Sequence, residues 1–118
     1  MSGLDPAVLE SLRASLEEHR LGLRKEISGQ GFDPDSEDFA SDLDRGFADS
    51  AHSTAERGRL ISLVQELRAN LKDVEHALTR FERGTYGVCE RCGEPIGEER
   101  LEAIPWARLC ITCKQKAL

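Results

Sequence analysis

Apolar side chains recur at helical steps in two stretches of the chain, and a stretch with no clear period separates them. In the first, Leu9, Leu12, Leu16, Leu23 and Ile27 follow three- and four-residue steps or their sums, with His19 filling the missing step of the stripe. Asp5 before Pro6 is a helix start, because a carboxylate accepts from free first-turn amides while proline sits where no amide bond is lost. Ser28-Gly29-Gln30-Gly31 ends the pattern with glycines suited to a helix C-terminus. The spacing predicts a helix over about residues 6–28. In the second stretch Leu60, Val64, Leu67, Leu71, Val74, Leu78 and Phe81 alternate gaps of four and three. That is a heptad pattern, which keeps one apolar seam facing a partner helix. Gly84 stops it, and Ser53 with Glu56 fits a capping box near its start. A helix over about residues 50–83 is predicted, roughly 50 Å long at the usual rise per residue.

Between these helices, residues 30–50 combine Pro34, two glycines, three serines, three phenylalanines and seven carboxylates. Two architectures satisfy the pattern. In one, the helices pair antiparallel and residues 30–50 form the acidic tip of a coiled-coil hairpin. In the other, that segment is a solvated linker and the long helix dimerises between chains. Periodicity alone does not separate them.

Charge sharpens the picture, because the chain of 118 residues carries 22 acids against 16 bases, a net −6. Residues 30–50 hold seven acids and one base, so this segment alone accounts for the whole excess. Broad electrostatic binding to nucleic acid needs a basic face, and none is present in the sequence. No apolar run is long enough to span a membrane, and the start MSGLDPAVLE lacks the features of a signal peptide. A cytoplasmic protein is expected, with no membrane partner.

All four cysteines fall in the last thirty residues, as Cys89-x-x-Cys92 and Cys110-x-x-Cys113 separated by 17 residues. Two such pairs each present two sulfurs on a tight knuckle, which is what tetrahedral zinc needs. Gly93 supports this reading, since positive φ after the second cysteine lets the backbone turn under the metal. With all four positions filled by protein, one structural Zn²⁺ is expected rather than a catalytic one. Four thiolates and the ion would take the net charge to about −8. A permanent staple is favoured over a redox sensor, because nothing in the sequence distinguishes a reactive thiolate from an inert one. His19, His52 and His76 are not at ligand spacing to the cysteines.

The block YGVCERCGEPIGEERLEAIPWARLCITCK, residues 86–114, closely resembles the finger of the DksA/TraR family of bacterial transcription regulators. The likeness runs through Gly97, Arg100, Leu101, Glu102, Ala103 and Pro105, and continues less specifically through the heptad helix. The resemblance implies a zinc-finger factor that binds RNA polymerase through the secondary channel and brings its coiled-coil tip toward the catalytic centre. The family's tip motif Asp-x-x-Asp-x-Ala, counted back from Cys89 without gaps, falls on Gly46, Asp49 and Ala51. The first aspartate is therefore replaced by glycine, and Asp44 lies two residues earlier. Family residues that help to hold the alarmone ppGpp fall on Asp73, Ile104 and Lys114, of which only Lys114 is basic. A carboxylate at position 73 repels phosphates, so a weak ppGpp response or none is expected through that family site.

These readings give a mainly α fold: an antiparallel two-helix coiled-coil hairpin over residues 1–88, a small four-cysteine zinc finger over residues 89–118, and a short C-terminal helix. The expected function is transcription regulation by RNA polymerase binding, by a monomer without enzymatic activity or direct nucleic-acid binding. Two alternatives stay open: a Gre-like accessory that stimulates transcript cleavage through carboxylate-bound Mg²⁺, and a zinc-stapled coiled-coil interaction protein.

Overall fold

The computed structural model describes residues 3–36 and 53–117. Four helices are found there: α1 (Pro6–Gly29), α2 (Thr54–Arg83), α3 (Glu98–Ala103) and α4 (Ile111–Ala117). Among the described residues there is no β-strand, only an isolated antiparallel bridge between Val88 and Pro95. The fold is mainly α, as the apolar periods predict, and its two long helices form a hairpin, the first of the two architectures that periodicity alone does not separate.

The ends of the long helices are set by local chemistry. Asp5 accepts from the Ala7 amide at 2.9 Å through its side chain and from the Leu9 amide at 3.0 Å through its carbonyl, which caps α1. Ser53 Oγ accepts from the Glu56 amide at 3.2 Å and caps α2. That start lies four residues beyond the sequence estimate of 50, although residues 50–52 are outside the described part. Both helices finish in the same way. At α1 the Phe32 amide reaches the Ile27 carbonyl, the Gly31 amide reaches Ser28 and Gly31 takes φ +89°; at α2 the Thr85 amide reaches Arg80, the Gly84 amide reaches Phe81 and Gly84 takes φ +72°. This pairing of a long and a short return bond needs one residue with positive φ, which glycine supplies without steric cost.

The chain divides into two compact units: residues 1–20 with 72–118, and residues 21–71. In the second unit Ile27, Phe32, Val64, Leu67 and Leu71 form one buried cluster, with Leu23 and Leu60 packed against it. Phe32 joins because the return bond to Ile27 brings the residue after Gly31 back over the last turn of α1. Polar contacts flank the cluster. Arg24 makes a two-pronged pair with Asp35 at 2.7 and 2.9 Å, and Arg68 donates to the carbonyls of Asp33 and Ser36.

In the first unit Leu12, Leu16, Val74, Ala77, Tyr86, Ile96 and Leu101 are buried. Antiparallel pairing of the helices appears here as Arg20 against Glu75 at 3.5 Å and Arg13 over the Phe81 ring at 6.0 Å. Two details depart from the sequence pattern. Toward the end of α2 it is Ala77 that is fully buried, while Leu78 and Phe81 are half-buried, because residues beyond Gly84 fold back on the helix and give it a second covered face. His19 is exposed instead of completing the apolar stripe, and its ring meets Trp106 edge-on at 5.3 Å. An imidazole keeps its polar edge in water while its carbons take an aromatic contact.

Candidate metal centre

Local backbone bonds build the cysteine knuckles. In the first, the Cys89 amide donates to Glu94 at 2.8 Å, the Gly93 amide to Cys89 at 3.0 Å and the Ile96 amide to Gly87 at 2.8 Å. Gly93 takes φ +76°, the turn its position predicts. The second pair lies at the start of α4, where the Lys114 amide donates to the Cys110 carbonyl at 2.9 Å. A bond of 2.9 Å from the Glu90 amide to the Arg108 carbonyl ties the two knuckles together.

Cys89, Cys92, Cys110 and Cys113 bring their sulfurs within 4.8 Å of one another, and the Cys92 and Cys110 sulfurs are 3.8 Å apart. A tetrahedral ion bonded to sulfur at about 2.3 Å requires sulfur–sulfur edges of about 3.8 Å. The donor set therefore has the size and chemistry of a zinc tetrahedron. Cys89 and Cys113 are buried, Cys110 is half-buried and Cys92 is exposed.

The surroundings favour thiolate unequally. Burial pushes the Cys89 thiol up, but amides of Cys92, Cys110 and Arg91 outweigh it and bring the group to about 6. Burial, followed by the neighbouring thiols of Cys110, Cys92 and Cys89, pushes Cys113 up to about 12. At Cys92 the Glu94 amide pulls down, yet the Cys89 thiol, burial and the Cys110 thiol together raise it. Four sulfurs this close do not all ionise without a cation among them, and Zn²⁺ supplies that charge when bound. No protein-free ligand position is left, so the ion is structural.

Around the cysteines, directed polar contacts hold the finger. The buried Tyr86 hydroxyl donates to the Pro105 carbonyl at 2.8 Å while its ring stacks on Phe81, with centroids 3.9 Å apart. Arg100 Nε donates to the Leu109 carbonyl at 2.9 Å. From α2, Asp73 accepts from Arg108 at 3.0 Å, and His76 faces Glu90 at 2.9 Å. Sequence reasoning missed these pairings, because their partners lie 9 to 35 residues apart and no periodicity links them.

Of the other sequence-predicted site residues, Lys114 is exposed and lines a cavity of about 530 Å³ together with Asp73, Ile104, Trp106 and Arg108. The structure thus brings Asp73, Ile104 and Lys114 together, with Arg108 already paired to the carboxylate. Asp44, Asp49 and Ala51 lie outside the described residues.

Comparison with known proteins matches the family of prokaryotic dksA/traR C4-type zinc fingers over residues 84–117. General stress protein 16O of Bacillus subtilis (strain 168) is 37% identical over 98 residues, covering 77% of this chain and 59% of that protein. The RNA polymerase-binding transcription factor DksA of Escherichia coli (strain K12) is 34% identical over 116 residues, 97% of this chain and 74% of that one. In structure, the chain is similar to transcription factor DksA2 from Pseudomonas aeruginosa, with a TM-score of 0.75 and 29% identity over 98% of this chain and 87% of that one. The chain spans only between about a third and three fifths of the length of three curated relatives that it matches. With four convergent cysteines, two long antiparallel helices and a likeness that runs through nearly all of its length, the chain belongs to the DksA/TraR family of zinc-finger proteins.

Proposed function

We propose that this protein is a bacterial transcription regulator that binds RNA polymerase through the secondary channel and modulates initiation. The observation that carries the reading is the 34% identity over 97% of the chain to a relative named as an RNA polymerase-binding transcription factor. In this reading the zinc-stapled finger is a rigid docking end. The acidic segment of residues 30–50 supplies the working tip, with Asp49 and Ala51 in the family positions and Asp44 taking the part of the aspartate that Gly46 lacks. The action is steric and electrostatic interference by a cytoplasmic monomer, without catalysis by the protein and without direct nucleic-acid binding. Residues 1–88 serve as the reaching arm and residues 89–118 as the anchor.

The response to ppGpp through the family's site, at positions 73, 104 and 114, is weak or absent. Asp73 places a carboxylate where the family pattern carries a base, and the cation paired with it, Arg108, is neutralised in doing so. Lys114 is left as the one basic group among the three family positions. Micromolar ppGpp binding to the polymerase complex that is lost in Lys114→Ala would overturn this.

The main test is capture of core RNA polymerase by the full chain, compared with Asp49→Asn and with a chain truncated before Cys89. Asp49→Asn should keep zinc and polymerase binding and lose the effect on initiation, whereas truncation should lose capture. Shortened transcripts in stalled complexes would instead identify the Gre-like accessory.

A further inference from the structure

His76, Arg80 and Arg83 stand at i, i+4 and i+7 on α2, on one face of its last turns. With Gly84, Thr85, Val88, Glu90 and the zinc-ligand Cys89 they line a cleft of about 580 Å³, a size that suits a small ligand. The one carboxylate in the lining, Glu90, is engaged by His76 at 2.9 Å. Arg80 and Arg83 have no ion pair or side-chain hydrogen bond among the described residues. Nearby arginines are engaged: Arg100 with the Leu109 carbonyl, Arg108 with Asp73, Arg13 with the Phe81 ring.

Cations near a helix C-terminus offset its dipole, but that role leaves the ten N–H donors of two guanidinium forks unused. The backbone offers nothing extra here, since the Gly84 and Thr85 amides are spent on the Phe81 and Arg80 carbonyls. Any ligand is therefore held by side chains, and forked donors match tetrahedral oxyanions. A chain whose formal net charge of −6 becomes about −8 with zinc on four thiolates repels anions at long range, so an anion binds only where donors locally outnumber acids.

We infer that this cleft is a binding site for a compact, multiply charged oxyanion of the polyphosphate type, gripped by Arg80 and Arg83. Inorganic polyphosphate and the phosphate tail of a nucleotide offer the same chemistry. The inference is independent of polymerase binding.

The test is calorimetric titration of the zinc-loaded full chain with inorganic tripolyphosphate, and in a second arm with adenosine triphosphate. Saturable one-to-one binding is expected. Arg80→Gln and Arg83→Gln should each weaken it about tenfold, the change that one charge-assisted hydrogen bond carries. Thermal unfolding should stay unchanged in both variants, and Lys114→Gln should bind as the parent does. Equal affinity in the two arms would assign recognition to the phosphate chain alone; tighter nucleotide binding would add the base and sugar. The inference is overturned if no saturable heat appears, if the double variant binds like the parent, if Lys114→Gln loses binding, or if a glutamate-rich peptide binds more tightly than tripolyphosphate.

Discussion

The two units of the chain are held by different physics. Among its described residues, the unit of residues 21–71 rests on five buried apolar side chains, Ile27, Phe32, Val64, Leu67 and Leu71, each interchangeable in kind with its neighbours. The finger, within the other unit, depends on unique contacts: four sulfurs around one ion, a hydroxyl on one carbonyl, a guanidinium on another. Apolar burial is non-directional and roughly additive, so damage to the seam is graded. Metal coordination fails as a set when one ligand is lost, and so damage to the finger is closer to all-or-none.

The sharpest way to break this comparison is to remove the zinc. Chelation, or Cys113→Ser, forfeits binding energy on the order of 10 kcal/mol, most of what folds a small finger. Amide resonances of residues 84–117 should collapse toward random-coil positions while those of residues 21–36 and 54–71 stay dispersed. Equal collapse of both sets would refute the contrast. Next in size is Ile27→Ala, which empties a fully buried site in the seam. A loss of about 2–5 kcal/mol is expected in urea unfolding, with zinc stoichiometry unchanged.

Tyr86→Phe should cost about 1–3 kcal/mol, because it strands the Pro105 carbonyl in a buried setting. Burial also raises the Tyr86 phenol from its ordinary 10 to about 12. The unfolded chain then loses its phenol proton at lower pH than the folded one. Stability from this source is complete below about pH 10 and falls as pH rises toward 12, in step with phenolate absorbance. Onset of that absorbance near 10 in the native protein would contradict the burial of the phenol. The smallest effect belongs to Arg24→Ala. Asp35 is 71% exposed, so water already screens the pair and less than about 1 kcal/mol should be lost.

The same contrast explains what can be read from the chain. Both long helices, their caps at Asp5 and Ser53 and their glycine ends are legible, since these depend on residues within a few positions of each other. The Cys-x-x-Cys spacing is equally local within each pair. Ala77 is not legible as a core residue, because the face it covers is set by chain beyond Gly84, and a small side chain gives no apolar signal. His19 misleads for the converse reason. Its spacing fits the stripe, but an aromatic contact with Trp106 depends on where a segment 87 residues away comes to lie. The Asp73–Arg108 and Tyr86–Pro105 contacts belong to the same class of long-range, single-partner information.

Trp106 is the only tryptophan of the chain, and it sits in the unit that carries the cysteines, against the exposed His19 ring. Its emission is therefore a private channel for that unit, while the far-ultraviolet ellipticity of α1 and α2 is shared by both. A single chelator titration followed in the two channels at once yields two midpoints without any label. Their separation measures directly how strongly the metal-bearing end and the apolar seam are thermodynamically coupled.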